Sequence, residues 1–417
     1  MSDGVTRRET LELLAALSLA PLDLEAQEPV ASPTAAMPDL GNLYPQLAAI
    51  SAENAPRQGF LDPSWKSLED WKRAARPIVK EWLSYDPKPQ PMGAELVSRE
   101  ERDGFTLETL RLRATSAYDI PAWLLLPSRR AGRAPAVAAL HCHSGQFVWG
   151  REKVLSSPGE PAFLTKFRER DGRPYAEVLA RRGYVVLVID AFYFGSRRLK
   201  VEDLEPATAP GDVREALLKL RTLTPETAEW TMAVNALCGR YEQLTAKTIF
   251  AAGATWPGIQ TWDDSRSVSY LAGRPEVDPS RIGCVGLSLG GIRAARLAGY
   301  DARIKASVVV GWMPEFPKLL ANHLKNHTWM AYLPGVPSSL DLPDIAALTA
   351  PSALFVQQCA RDSLYPRHAM QGANEKLEKI FKKAGIPERF KGAFYDVPHS
   401  FTPAMQDEAF DWLARFL

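Results

Sequence analysis

Ser288 lies in Gly286-Leu287-Ser288-Leu289-Gly290-Gly291, and this short stretch constrains the fold more than any other. Before it, Ile282 to Leu287 reads as an apolar strand. After it, Ile292-Arg-Ala-Ala-Arg-Leu-Ala reads as a helix. A serine held on so sharp a strand-to-helix turn needs small residues two places before and after it, so that strand and helix can approach. Gly286 and Gly290 meet that need. The helix that begins here turns the positive end of its dipole toward the serine, which favours developing negative charge. A bare Gly-x-Ser-x-Gly match is common by chance; one with a strand before and a helix after it is far more specific.

The rest of the chain repeats that alternation. Phe105 to Arg113 alternates apolar and polar residues, as a half-exposed antiparallel strand does. Ile120 to Leu126 is a second strand. Ala136 to Leu140 and Tyr184 to Asp190 are short continuous apolar runs, the pattern of strands covered on both faces. Further strands are expected at Ile282–Leu287, Ala306–Val310, Ala353–Gln357 and Ala393–Val397. Helices are expected at Tyr175–Arg182, 258–273, 289–299, 367–384 and 404–416. Such alternation implies a mostly parallel sheet with helices on both faces and an antiparallel edge from the early strands. Two stretches, about 191–255 and 311–347, exceed the minimal alternation. Both follow strand carboxyl ends, where open α/β sheets bind ligands, and both read as pocket walls or lids.

A serine is a weak nucleophile and needs a base and an orienting acid. After a strand-turn-helix nucleophile these follow in the order acid, then histidine. His399, in a loop after the last strand, is the candidate base; His368, at a helix start, reads as a surface residue. Asp362, just past a strand end, is the candidate acid. Its rival Asp396 is only three residues from His399 along an extended chain and is poorly placed to brace that ring. The oxyanion of an acyl-transfer reaction needs two N–H donors. Leu289 supplies one; Ser144, Gly145 and Gln146, in the loop after Ala136–Leu140, are equal candidates for the other.

Four further histidines invite other readings. His141 and His143 are two residues apart with no third ligand, so no metal site is expected. His323 and His327 have the i, i+4 spacing of a helical pair but lack the glutamate of a zinc motif. His143, Trp312, His323 and His327 are read as pocket lining. Asp263, Asp264 and Arg266 read as structural, with Asp263 pairing Arg266 along a helix. Asp190, at a strand end, reads as a loop-orienting residue.

The 417 residues carry a formal net charge of +1 and no basic block, which leaves no electrostatic footprint for a nucleic-acid partner. The four cysteines form no CxxC pair, and three lie in or just after apolar strands, as small buried residues do. Thr6-Arg7-Arg8-Glu9-Thr10-Leu11 precedes an apolar run from Leu13 to Leu22. Residues 1–26 therefore read as a twin-arginine export signal, with an amphipathic helix as the alternative. Periplasmic or secreted location follows, with cytoplasmic location as the alternative. No run is long enough to span a membrane. Residues 27–93 read as a linker and a helical extension. In the latter, Leu68, Trp71, Ala74, Ile78 and Trp82 recur at helical steps after a start at Ser67.

The ordered set of His141–Gln146, Gly286–Gly291, Asp362 and His399 resembles the α/β-hydrolase superfamily over roughly residues 94–417. Trp262-Asp-Asp-Ser-Arg266, Arg274 to Ile282 and Pro398-His-Ser-Phe401 carry a narrower likeness to the bacterial acetyl xylan esterase and dienelactone hydrolase-like branch. The resemblance implies an α/β-hydrolase fold and cofactor-free ester hydrolysis through an acyl-enzyme. Dienelactone hydrolases proper use cysteine as nucleophile; the serine here sides with the esterases. The expected substrate is a small-molecule or carbohydrate ester, an acetylated sugar foremost. Oligomeric state is open. Two other readings stand beside this one: a serine peptidase of the prolyl-oligopeptidase type, disfavoured because residues before 94 are too few for a propeller, and a catalytically silent binding protein.

Overall fold

The computed structural model describes residues 37–129 and 132–417. The expected export signal and the first part of the linker lie outside the described residues. Nine strands form one sheet among these residues: β1 Ala94–Arg102, β2 Phe105–Arg113, β3 Asp119–Pro127, β4 Ala134–Leu140, β5 Val185–Ile189, β6 Val277–Leu287, β7 Ile304–Val310, β8 Ala353–Cys359 and β9 Phe390–Tyr395. Their order is β1-β2-β3-β5-β4-β6-β7-β8-β9. β1 pairs antiparallel with β2, β2 with β3 and β3 with β5; every pairing from β5 across to β9 is parallel. The helices are α1 Tyr44–Glu53, α2 Leu68–Leu83, α3 Ala162–Asp171, α4 Tyr175–Arg181, α5 Gly211–Leu220, α6 Ala228–Ala251, α7 Trp256–Ala272, α8 Leu289–Tyr300, α9 Leu342–Ala347, α10 Arg367–Lys383 and α11 Pro403–Phe416.

The apolar runs explain the layers. β5 is Val-Val-Leu-Val-Ile, and all five residues are buried. Val185, Leu187 and Ile189 face one core with residues of α2, α7, α8 and α10, while Val186 and Val188 face a second core with α4 and α11. A period of two thus feeds two hydrophobic layers, one on each face of the sheet. β4 sits between β5 and β6, so the chain reverses direction across the sheet there. The carboxyl ends of β4 and β6 flank that reversal, where α/β sheets open a crevice. Leu140 and Gly286 are register partners, which brings the following loops level with each other.

Three expectations are corrected. β9 runs from Phe390 to Tyr395 rather than Ala393 to Val397. As an edge strand it pairs with β8 alone and tolerates Lys391 and Gly392, so its apolar signal is diluted. β1 was not expected as a strand: it is almost wholly exposed and polar, and its pairing with β2 defines it. In α2 the buried stripe is Trp71, Ala75, Val79 and Leu83, with Leu68, Ala74, Ile78 and Trp82 only partly buried. The stripe follows the same helical period, rotated by about one residue. The expected start at Ser67 stands, its hydroxyl capping the N–H of Asp70 at 3.0 Å.

Candidate active site

Ser288 joins β6 to α8 with φ +60° and ψ −120°, backbone angles that cost a non-glycine residue on the order of 1–3 kcal/mol. Its N–H donates to Val310 O of β7 at 2.8 Å, and its side chain is nearly buried. The flanking glycines are sterically required. A Cβ on Gly286 would lie 2.4 Å from backbone atoms of Gly290, and one on Gly290 would lie 2.0 Å from Leu140 O. The first helical hydrogen bond of α8 is Ile292 N–H to Ser288 O, 3.1 Å. The Leu289 N–H therefore belongs to the first turn, whose amides have no intrahelical acceptor.

His399 and Asp362 come together although 37 residues separate them: Nδ1 stands 2.5 Å from Asp362 Oδ2. The Asp362 side chain is fully buried, and its Oδ1 accepts the N–H of Leu364 at 2.9 Å. The imidazole rests on Gly311, where an added Cβ would lie 3.0 Å from its Cε1. Gly311 directly follows Val310, the residue that anchors Ser288, so the ring stands at the serine's end of the sheet. Asp396 instead forms a solvent-exposed pair with Arg361, and His368 is exposed on α10.

The loop after β4 is tightly bonded. Gly145 N–H donates to His143 Nδ1 at 3.0 Å, and Gln146 N–H donates to His143 O at 3.1 Å. Both amides are committed to the protein, which corrects their candidacy as oxyanion donors. Among the described residues, the N–H groups of His143 and Ser144 have no acceptor. Ser144 was among the expected donors; the His143 amide was not, since nothing in the sequence sets it apart from its neighbours. Ser144 and Gly145 have consecutive positive φ values, 51° and 63°. Buried Lys153 holds the loop from behind, donating to Cys142 O at 2.8 Å and His143 O at 3.0 Å. His141 is fully buried and neutral: burial, with Lys153 and Arg293 nearby, holds its imidazole well below the usual range. Its Nε2 accepts the Ala191 N–H at 3.1 Å.

Trp312, His327 and Tyr365 form a ring cluster beside Asp362, with centroids 4.9 to 5.2 Å apart. Burial pushes the His327 imidazole down to about 4, against a smaller opposing pull from Asp362. His323 does not join it. The segment between the two histidines is a short 3-10 turn, Leu324–Asn326, so i, i+4 spacing does not set them on one helical face. His323 lies nearer Asp39, His368 and Lys325.

Asp190 is structural: it accepts from Arg151 N–H at 2.9 Å and from Ser196 Oγ at 2.7 Å, and fixes the loops after β4 and β5. Asp263 pairs with Arg197 at 2.7 Å and accepts from Tyr118, not from Arg266 as expected. Arg266 donates to the backbone oxygens of Arg113 and Gln90. Asp264 and Arg293 form a buried two-pronged ion pair, 3.0 and 2.6 Å, that ties α7 to the serine-bearing α8. The four cysteines are buried and carry no disulfide. Burial pushes the thiols of Cys238 and Cys359 up to about 12, where they are inert. A cavity of about 470 Å³ lies elsewhere, between α2 and the end of α8, lined by residues such as Arg76, Tyr300 and Arg303, and shares no residue with the serine, histidine and carboxylate.

A serine on a strained turn at a sheet reversal, with a histidine–carboxylate pair beside it, defines an α/β-hydrolase. The dienelactone hydrolase family model matches residues 169–412, and the chain belongs to that family; it is an ester hydrolase. YtaP of Bacillus subtilis (strain 168), a protein assigned to the hydrolases, is 24% identical over 332 residues, 79% of this chain and 95% of its own. Two solved structures share the fold at 15% identity. One is a Bacteroides fragilis NCTC 9343 protein assigned as an acetyl xylan esterase, with TM-score 0.62 over 84% of this chain and 82% of that one. The other is a glucuronoyl esterase from Solibacter usitatus, with TM-score 0.56 over 86% and 97%.

Proposed function

We propose that Ser288 is the nucleophile of a carboxylic-ester hydrolase, His399 its general base and Asp362 the acid that orients the base. The observation that carries this reading is the Asp362–His399 contact at 2.5 Å, in a ring resting on Gly311 beside the strand that holds Ser288. Ser288 Oγ attacks the ester carbonyl carbon while His399 Nε2 takes the hydroxyl proton. The C–O bond to the alcohol then breaks, and the same nitrogen returns the proton to the leaving oxygen. Water repeats both steps on the acyl-enzyme and releases the carboxylic acid. Asp362 keeps the imidazole proton on Nδ1 and stabilises the imidazolium. The oxyanion is held by the N–H of Leu289 and by the amides of His143 and Ser144.

An acetylated carbohydrate is the substrate class we favour. Its support is the acetyl xylan esterase assignment of the Bacteroides fragilis structure and the export-signal reading of residues 1–26, which would place the enzyme in the periplasm or outside the cell. In this reading residues 27–93 are a linker and helical extension, and 94–417 are the catalytic domain with insertions at about 191–255 and 311–347. Labelling with a fluorophosphonate serine probe tests the nucleophile: wild type is expected to label and Ser288→Ala to lose it. Equal labelling of both, or none of wild type, would sink the assignment. A panel of acetylated sugars, aryl esters and peptides tests the substrate, and peptide turnover without ester turnover would favour a peptidase.

A further inference from the structure

We infer that α6, in the segment after β5, is a positioning element for the oxyanion loop, with Asn235 and Glu242 as its positioning residues. This rests on the reading above, in which the amides of His143 and Ser144 receive the oxyanion.

The helix meets the loop along one stripe. Asn235, Cys238, Gly239 and Glu242 are spaced by three, one and three residues, so they share a face. Buried Asn235 makes three bonds to the loop. Its Oδ1 accepts from Phe147 N–H at 2.7 Å and Val148 N–H at 3.0 Å, and its Nδ2 donates to Gln146 Oε1 at 2.5 Å. At Gly239 the helix backbone comes close: a Cβ there would touch the Phe147 ring at 3.7 Å. Tyr193, whose ring packs on Phe147, also holds the stripe, donating to Cys238 O at 3.0 Å.

Glu242 acts on His143. A backbone N–H is always a donor, so the bond from Gly145 N–H makes Nδ1 of His143 an acceptor. The proton of the neutral ring must then sit on Nε2. That atom is buried and faces Glu242 Oε1 at 3.6 Å, longer than a hydrogen bond. Such contacts commonly shorten when the reacting complex forms. Glu242 also accepts the Thr328 hydroxyl. The rings of Phe147 and Phe194, 4.9 and 5.3 Å away, fix the imidazole plane. The molecule therefore holds two carboxylate–histidine pairs at this end of the sheet. Asp362–His399 serves the proton, and Glu242–His143 serves the loop.

The result is selective. The amides of Gly145, Gln146, Phe147 and Val148 are all spent on protein acceptors, and those of His143 and Ser144 are left. The left-handed backbone at Ser144 costs free energy and persists because its surroundings over-determine it. Asn235 and Glu242 are two of the groups that do so.

Kinetics on 4-nitrophenyl acetate test the inference, alongside affinity for phenylboronic acid, which mimics the tetrahedral intermediate. Asn235→Leu is expected to lower kcat about 10- to 100-fold with KM within about threefold, and to weaken the boronate in parallel. Asn235→Asp keeps the oxygen that accepts from Phe147 and Val148 but turns the donor to Gln146 into an acceptor, and is expected to recover only part of the kcat lost in Asn235→Leu. Glu242→Gln, of the same size, is expected to lower kcat about tenfold. Unchanged kcat and boronate affinity in Glu242→Gln and in folded Asn235→Leu would overturn the inference, as would a rise in KM alone. Glu242→Gln decides the matter if Asn235→Leu does not fold. Ser288→Ala separates the two readings: turnover retained there defeats the nucleophile assignment, whereas the variants of α6 are measured on the intact serine.

Discussion

The two long segments beside the site, 191–255 and 311–347, hold it in different ways. The first contributes α6, a 24-residue helix that sets Asn235 and Glu242 against the loop after β4. The second is mostly short turns, apart from α9, and meets the acid side through packed rings: Trp312 and His327 against Tyr365. The first fixes backbone donors by directional hydrogen bonds. The second shields a buried carboxylate with apolar faces and leaves Gly311 bare as a seat for His399. Donor amides must point within a narrow cone, which a helix-borne asparagine can enforce. A carboxylate–imidazole pair needs dryness, which rings supply. A hydrogen bond from the Thr328 hydroxyl to Glu242 joins the two segments.

That contrast can be broken from either side. The largest effect is expected at Asp362. Asp362→Asn keeps the shape but favours the wrong imidazole tautomer, and kcat should fall about 10⁴-fold with KM little changed. Steady-state assays with and without this change show whether the acid side carries more of the rate than the α6 side, where losses of one to two orders are expected. A fall no greater than that of Asn235→Leu would erase the distinction.

His327 tests the dryness of the second segment. Its folded pKa lies near 4, below its usual 6.5, so the unfolded chain takes up a proton before the folded one does. Stability is then lost as pH falls from about 6.5 to about 4, by roughly 3 kcal/mol for this group. Buried His141 acts in the same direction, so the comparison is between wild type and His327→Phe. Urea melts at pH 7 and pH 4.5 should show a shallower loss in the variant.

Gly311→Ala is expected to be milder. The new methyl would press on His399 at 3.0 Å and sit at φ +59°. We expect kcat to fall about tenfold and stability by about 1 kcal/mol, read from kinetics and thermal melts. The smallest effect is expected for Thr328→Val, which removes the bond to Glu242 and the cap on Met330 N–H. A loss of about 1 kcal/mol is expected. A larger loss would mean that the two segments form one cooperative wall.

Legibility followed the range of the interactions. The Ser288 turn was readable because its strand, glycines and helix are contiguous, and local sterics demand those residues. Most strands were readable because burial on both faces writes a continuous apolar run. β1 was not, since its pairing with β2 is what makes it a strand. His323 and His327 misled for a related reason: their spacing has meaning only in a helix, and the chain forms a turn there instead.

By itself the sequence determined the buried strands of the sheet, the elbow at Ser288, and the order in which Asp362 and His399 follow it. These depend on periodicity and on residues close along the chain. The tertiary structure alone decided which amides of the loop after β4 remain open, because Gly145 and Gln146 bond to His143 only in the folded turn, and Phe147 and Val148 bond to Asn235 of α6, 88 residues from Phe147. It also gave Glu242 its place opposite His143, a pairing with no periodic signature. A hydrogen bond across folded segments leaves no pattern in either segment, so it becomes visible only once the chain has brought both ends together.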